Sequence, residues 1–277
     1  RVKLRLNKQM ELRRQVAANI LSGHHSDTLG ELLLRSAAVI VTEPIIYEGA
    51  GSKFEGTISW DDSQTGPRPG VMIAPTFKGQ SSFETQKGEC LAALGYVGFA
   101  IDIYGQGKRA TTPEEAGALM AVLNDDRALL LEHMQLATKT IRQLPQVDEN
   151  KIAAIGFCFG GKCVLDLARS GVDIRAIVSF HGIYDPPPLA GAEKIQSSVL
   201  VLHGWEDPLS PREQTVALAD ELTRRGADWQ IHMFGHTAHA FTNPQAQARE
   251  AGMFFNPLSD ERGWEMMQSF LRSQLAC

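Results

Sequence analysis

The sequence predicts an α/β domain with a mostly parallel central sheet and helices on both faces. Short apolar runs typical of buried strands alternate with longer segments of helical period, and this alternation indicates β-α-β units. The intervals are long enough for crossover helices, so consecutive strands are expected to lie parallel. A length of 277 residues with 43% hydrophobic residues is sufficient for one large domain of this class.

Residues 1–40 differ from the rest of the chain, and we expect the α/β domain to comprise residues 41–277. Basic residues outnumber acidic ones in this first segment, although the whole chain has a net charge of −5. Its apolar residues give a loosely amphipathic helical pattern. We interpret it as a helical docking arm or an extension left by recombinant expression, with a membrane-surface or targeting segment as the alternative.

The first half of the domain is expected to contain an antiparallel part and then a parallel unit. The pattern takes the period of a strand from Ile45, and 61–70 has the Pro and Gly residues of a turn. We expect 54–60 to be an antiparallel strand at the edge of the sheet. The expected elements are strands at 54–60, 71–74 and 96–104, and helices at 82–94, 113–123 and 125–144.

The second half is expected to continue the parallel sheet. Each apolar run there ends in a short polar segment, as strands do where they leave a sheet. The expected elements are strands at 152–155, 174–180, 198–202 and 229–234, and helices at 162–169, 211–225 and 259–275.

Cys158 lies in a glycine-rich turn and is the main candidate for a reactive group. An apolar run ends at Gly156, a phenylalanine stands on each side of the cysteine, and Gly160 leads into a helical segment. Such a strand-to-helix turn holds one side chain in a strained, exposed position, while the glycines let backbone segments pass closely. The helix N-terminus lowers a thiol pKa. The sequence therefore predicts a nucleophile, although buried packing is the common role of a lone cysteine.

An acid and a histidine follow Cys158 at later strand ends. Asp207 lies 49 residues further on, and His239 another 32, so that a strand and a helix fit into each interval. Loops from the carboxyl ends of parallel strands converge at one edge of a sheet. The order nucleophile, acid, histidine is that of an α/β-hydrolase, with Asp207 orienting His239 and His239 taking the thiol proton.

Other polar residues near these positions remain open as alternatives. Glu206 competes with Asp207 as the acid, and His236 competes with His239 as the base. His181 and His203 each precede a glycine at a strand end, where a structural or supporting role is expected.

Composition and cysteine usage exclude several classes. The acidic net charge argues against a nucleic-acid binder, and no apolar run reaches the ~20 residues of a membrane span. The cysteines show no zinc-ligand spacing or redox pair, so we expect no metal, no cofactor, free thiols and a cytoplasmic location. The cysteines are Cys90, Cys158, Cys163 and Cys277.

Four segments together resemble the dienelactone hydrolase family, over roughly residues 45–275. They are IAPTFKG at 73–79, GFCFGG at 156–161, HGWEDP at 203–208 and HAFTNP at 239–244. The resemblance implies an α/β-hydrolase fold with a catalytic triad of Cys158, His239 and Asp207. It also implies an oxyanion hole formed by the backbone N–H groups of Phe159 and Phe77.

Several positions depart from the pattern of the family's lactone hydrolases. Thr76 stands where they have a glutamate that interacts with the cysteine, and Asn243 where they have an arginine that binds the substrate carboxylate. The family pattern has a second such arginine in the helical region after the strand at 96–104. Residues 110–126 contain no Lys or Arg, although Lys108 and Arg109 lie nearby. Because these charges anchor anionic lactones, we expect a neutral substrate instead.

Aromatic residues at the strand ends are expected to surround the site. Such rings suit neutral aromatic or acyl groups, although some of them will belong to the core. The predicted pocket residues are Thr76, Tyr104, Trp205, Phe241 and Asn243.

We therefore expect a cysteine hydrolase of neutral activated esters or lactones, with slow turnover of aryl phosphotriesters as a secondary activity. Two other classes stay open. A thiol redox protein would need Cys163, which lies on a different face of the same helix, as its resolving partner. A non-catalytic binding module on a hydrolase fold is the third possibility. The expected partner is a small molecule, and a homodimer is plausible.

Overall fold

The computed structural model describes residues 38–49, 51–189 and 191–276, and within them the chain forms an eight-stranded sheet. The sheet strands are β1 Ile40–Gly49, β2 Ser52–Asp61, β3 Arg68–Ala74, β4 Val97–Ala100, β5 Val147–Phe157, β6 Ala176–Phe180, β7 Ser198–Gly204 and β8 Trp229–Phe234. The arm predicted for residues 1–40 falls almost wholly outside the described residues and stays a prediction.

Helices connect most of the strands, as the sequence predicts. They are α1 Ser82–Ala93, α2 Pro113–Asp125, α3 Arg127–Arg142, α4 Phe159–Arg169, α5 Arg212–Arg224 and α6 Pro257–Leu275. The sequence analysis did not anticipate a small hairpin between β8 and α6, which consists of β9 Gln247–Ala248, a 3₁₀ turn Arg249–Ala251 and β10 Met253–Phe254.

The strand order is β1-β2-β4-β3-β5-β6-β7-β8. The pairs β1–β2 and β2–β4 are antiparallel, and all other neighbours in this sheet are parallel. The carboxyl ends of β5, β7 and β8 therefore lie at one edge of the sheet, which confirms the predicted α/β-hydrolase fold. The prediction of an edge strand at 54–60 is wrong, because β1 occupies the edge and β2 lies between β1 and β4.

Helices cover both faces of the sheet. Alternate side chains of β3 accordingly pack against different helices on the two faces. Val71 and Ile73 pack in the core that also contains apolar residues of α1 and α6. Met72 and Ala74 point to the opposite face, where they pack with residues of α3, α4 and α5. A strand buried on both faces needs apolar residues at every position, which explains the continuous apolar run.

The strand predicted at 96–104 is shorter in the structure, since β4 ends at Ala100. The buried carboxylate of Asp102 accepts the N–H groups of Tyr104 at 2.9 Å and Gly105 at 3.1 Å. The Tyr47 hydroxyl accepts the Asp102 N–H at 3.0 Å and donates to its carbonyl at 2.7 Å. Side chains thus replace the ladder hydrogen bonds and turn the chain into a loop beside the site.

Candidate active site

Cys158 occupies the sharp turn between β5 and α4. It is one of the non-glycine residues with positive φ, at 56°. A Cβ atom at Gly156 would lie 2.1 Å from the Gly160 carbonyl oxygen, and one at Gly160 would lie 2.2 Å from the Ala74 carbonyl oxygen. Only glycine fits at these two positions, so the sequence fixes a strained turn that presents the sulfur at the carboxyl edge of the sheet.

His181 supports this turn from the end of β6. The Cys158 N–H donates to the Phe180 carbonyl and to His181 Nδ1, both at 3.1 Å. The other ring nitrogen, Nε2, lies 2.8 Å from Thr242 Oγ1. Since Nδ1 accepts, Nε2 carries the proton and donates to Thr242. Burial lowers the pKa of His181 well below its ordinary value, which keeps the ring neutral for this role.

Asp207 and His239 meet at the same edge. His239 Nδ1 lies 2.7 Å from Asp207 Oδ2, and both side chains are buried. Asp207 Oδ1 accepts the Leu209 N–H at 2.8 Å, so both carboxylate oxygens are engaged. With Nδ1 donating to the acid, the buried Nε2 is left without a hydrogen-bond partner in the described part of the chain. That nitrogen can exchange a proton with a neighbouring reacting group.

The charges of Cys158 and His239 are coupled. Burial opposes ionisation of the Cys158 thiol, but the nearby His239 imidazolium and the Phe159 N–H outweigh it and lower the thiol pKa. Burial likewise opposes the imidazolium, but the Cys158 thiolate and the hydrogen bond to Asp207 raise the pKa of His239 to about 10. Each charge therefore stabilises the other, so the thiolate and the imidazolium form together more readily than either would alone.

Glu206 and His236, the alternatives to Asp207 and His239, form an exposed pair of their own. The His236 side chain is 99% exposed and its Nδ1 lies 3.4 Å from the carboxylate of Glu206, which is 51% exposed. This pair does not reach the buried acid and base. His203 contacts the Tyr184 hydroxyl at 3.0 Å and has its pKa lowered by burial, as expected of a supporting residue.

The two predicted oxyanion donors lie in the turn after Cys158 and in the loop after β3, whose Ala74–Pro75 backbone passes close to Gly160. Phe159 is the first residue of α4, whose N-terminus has no side-chain cap. Phe77 lies in the loop after β3, and its amide nitrogen has no acceptor within the described residues. Uncapped N–H groups at such a turn are suited to bind a developing negative charge.

The predicted pocket residues differ in where the structure places them. Thr76 is half-buried beside Phe77, and Trp205 is 36% exposed with the Arg212 guanidinium 4.2 Å above its ring. Asn243 accepts the Gln245 N–H at 3.0 Å and thereby stabilises its own turn.

The rings of Tyr104 and Phe241 are largely withdrawn from the surface. Phe241 is fully buried and packs edge-on against His181, which disagrees with the prediction that it lines an open pocket. Tyr104 is buried, and its hydroxyl donates to the Phe77 carbonyl at 2.9 Å. Sequence reasoning cannot decide between pocket and core for such rings, because side-chain direction after an irregular turn has no signature in the residue pattern.

Two arginines, Arg109 and Arg127, are already engaged in ion pairs. Arg109 contacts the Asp102 carboxylate at 3.1 Å and the Glu55 carbonyl at 2.6 Å. Arg127 is buried between Asp166 and Asp185. Neither arginine is free to hold a substrate carboxylate.

Neither a metal-binding cluster nor a membrane-spanning helix occurs among the described residues. No group of three or more His, Cys, Asp or Glu residues in them could hold a metal ion. None of the described helices combines the length and the apolar character needed to cross a membrane. Cys90, Cys158 and Cys163 are free thiols.

Comparisons with known proteins bear on the family and the fold. The sequence profile of the Dienelactone hydrolase family matches residues 54–275. The solved structure of a protein called m3DLH superposes with a TM-score of 0.82 at 37% identity, covering 85% of this chain and 99% of that one. A dienelactone hydrolase-like promiscuous phosphotriesterase, P91, from metagenomic libraries superposes equally well at 0.82 with 34% identity, covering 86% and 99%. Uncharacterized protein K02A2.1 of Caenorhabditis elegans is 31% identical over 156 residues, covering 55% of this chain and 99% of its own.

Proposed function

The chain belongs to the dienelactone hydrolase family and is a hydrolase of the ester or lactone type, and we propose that Cys158, His239 and Asp207 form its catalytic triad. The observation that carries the proposal is the buried 2.7 Å contact between His239 and Asp207. It leaves His239 Nε2 with no oxygen or nitrogen partner among the described residues, and the interaction of His239 with the Cys158 sulfur lowers the pKa of the thiol.

The first half of the reaction forms a thioester. The Cys158 thiolate attacks the substrate carbonyl carbon, and the electron pair of the C=O bond moves to the oxygen. The Phe159 and Phe77 N–H groups would stabilise this oxyanion. When it collapses, the bond to the leaving oxygen breaks and the protonated Nε2 of His239 supplies the proton that the leaving alcohol needs.

The second half hydrolyses the thioester. Once the sulfur is acylated, the thiolate charge that raises the pKa of His239 is gone, so the imidazole can accept a proton. His239 then takes a proton from water, and the resulting hydroxide attacks the thioester carbonyl. Collapse breaks the C–S bond, releases the acid and restores the thiolate. Asp207 holds the ring orientation through both halves.

The charge distribution favours neutral substrates. An anionic lactone needs cationic anchors, but Arg109 and Arg127 are bound to acids of the protein and Asn243 replaces an arginine of the family pattern. We therefore propose neutral activated esters or lactones as the substrate class.

Aryl phosphotriesters are a second candidate. P91, which is 34% identical, is described as a promiscuous phosphotriesterase. Attack of the Cys158 thiolate on phosphorus would form an S–P bond and release the aryloxide, and water activated by His239 would then break that bond. Release of p-nitrophenol from a neutral triester above the buffer rate would support this activity.

The experiment compares p-nitrophenol release from a short p-nitrophenyl ester by the parent protein, by Cys158→Ala and by iodoacetamide-treated protein. Loss of activity in both treated samples supports Cys158 as the nucleophile. Activity that survives both contradicts the triad, and ligand binding without turnover across an ester panel supports a binding module.

A cytoplasmic location and a homodimeric state also remain proposals. Cell fractionation tests the first, and the mass of the protein in solution by light scattering tests the second.

A further inference from the structure

Hydrogen bonds in the loop between β3 and α1 fix the peptide groups on both sides of the Phe77 N–H. The Thr76 N–H donates to Glu84 Oε1 at 3.2 Å, and the Thr76 carbonyl accepts the Gly79 N–H at 3.0 Å. The Phe77 carbonyl accepts the Tyr104 hydroxyl at 2.9 Å. The Thr76 carbonyl shares its peptide plane with the Phe77 N–H, so these bonds fix the direction of that N–H, which has no acceptor among the described residues and is available to an outside one.

Glu84 is a fully buried carboxylate that binds two elements at once. Its Oε2 accepts the Ser81 N–H at 2.8 Å and the Ser81 hydroxyl at 2.7 Å, which caps α1, while Oε1 binds the loop at Thr76. Glu115 makes the same kind of capping box at the start of α2 with an exposed side chain. Helix capping alone therefore does not require a buried carboxylate, whose desolvation is unfavourable unless its oxygens are satisfied.

Tyr104 binds the same loop through the Phe77 carbonyl. Its ring stacks on Phe159 with centroids 6.4 Å apart and planes at 15°. Its hydroxyl holds the Phe77 carbonyl. One side chain thus contacts both residues whose N–H groups we assign to the oxyanion.

We propose that Glu84 is a positioning residue that, together with Tyr104, aims the Phe77 N–H at the oxyanion formed on the substrate. The inference rests on the proposed function, because it needs Cys158 to generate that oxyanion. Both side chains bind the 76–77 backbone, and they act through that backbone.

The test is Glu84→Gln. A glutamine amide has one acceptor oxygen and one NH₂ group, so it cannot accept from both Thr76 and Ser81 as the carboxylate does. We expect kcat for p-nitrophenyl acetate to fall about 10- to 100-fold with KM within about twofold, because the lost interaction acts in the transition state. Tyr104→Phe keeps the stacked ring and removes only the hydroxyl, and we expect a fall of about fivefold or more.

A second readout separates positioning from general damage. Alkylation of Cys158 by iodoacetamide uses the thiolate but forms no oxyanion, so its rate and pH profile should be unchanged in both variants. A parallel fall in alkylation would overturn the proposal, since the effect would then act through the thiolate.

Glu115→Gln is the matched control, because it makes the same substitution in the capping box of another helix, where the side chain binds Thr111 and Thr112 and not the 76–77 backbone. We expect it to keep the parent kcat, and an equal loss there would overturn the proposal by showing that helix capping is responsible. If Glu84→Gln does not fold, Tyr104→Phe decides alone: parental kcat in that variant overturns the proposal.

Cys158→Ala is measured alongside. If it retains activity, the proposed function itself fails. If it is inactive while Glu84→Gln and Tyr104→Phe both keep the parent kcat, only the positioning inference fails.

Discussion

Replacing Asp207 by Asn tests the charge coupling of the site. Asp207 accepts the His239 Nδ1–H at 2.7 Å with both groups buried, and hydrogen bonds to charged groups contribute about 1.5–3 kcal/mol. At ~1.36 kcal/mol per tenfold change, its loss disfavours the imidazolium by roughly 10- to 150-fold. Removing the Asp207 charge also relieves its repulsion of the thiolate, but this is the smallest contribution to the pKa of Cys158.

We therefore expect kcat/KM of Asp207→Asn for p-nitrophenyl acetate to fall by roughly 10- to 150-fold. The assay pairs ester kinetics with the rate of iodoacetamide alkylation at neutral pH, where a smaller thiolate population should slow alkylation as well. Glu206→Gln is the control, because it alters the neighbouring exposed acid that contacts His236. Activity of Asp207→Asn within twofold of the parent, or a larger loss in Glu206→Gln, would refute the assignment of the acid.

Four further predictions follow from the geometry. Gly160→Ala should lower the free energy of urea unfolding by about 3 kcal/mol or abolish folding, because its Cβ would lie 2.2 Å from the Ala74 carbonyl oxygen; an unchanged midpoint contradicts this. His181→Phe removes one of the two acceptors of the Cys158 N–H and should lower both Tm and kcat, as measured by calorimetry and ester kinetics; parental values for both would count against it. Asn243→Arg should lower KM for an anionic ester relative to a neutral one, and an unchanged ratio would argue that this position lies outside the substrate's reach. The raised pKa of His239 keeps its proton to about pH 10, so acylation by an alkyl ester should decline only as pH approaches 10; a decline near pH 7 would contradict the ion pair.

The parallel part of the fold could be predicted from the sequence, because the apolar residues of its strands and of its helices recur with different periods. The apolar runs that became β3, β5, β6 and β7 are buried on both faces, and that burial leaves a clear pattern. The order of the first two strands could not be predicted in the same way. Both β1 and β2 have strand character, and which one lies at the edge depends on pairing with β4.

The strand predicted at 96–104 is too long, because long-range contacts and not the local pattern determine where β4 ends. The chain leaves the sheet after Ala100 because Asp102 and Tyr47, 55 residues apart, satisfy the backbone there. No local pattern at 96–104 indicates that contact.

The candidate site was predictable where glycine leaves a signature. Gly156 and Gly160 indicate the sharp turn around Cys158, because neighbouring backbone occupies the space that a Cβ atom at either position would need. A supporting role of His181 was expected, but the contact that orients its ring could not be predicted, because Thr242 lies 61 residues away. Glu84 shows a partial signal: Ser81-x-x-Glu84 is a capping box visible in the sequence, but its second oxygen contacts a loop that only the fold brings close.

The most direct test of the account is to trap the acyl-enzyme. The protein is mixed with p-nitrophenyl acetate, quenched in acid within the first turnover and digested, and the acetylated peptide is sequenced by mass spectrometry. The account predicts one acetyl group on Cys158, held as a thioester that hydroxylamine removes. Acetyl on another residue, such as the exposed Cys90, or turnover without any acetylated cysteine, would contradict the claim that Cys158 is the nucleophile.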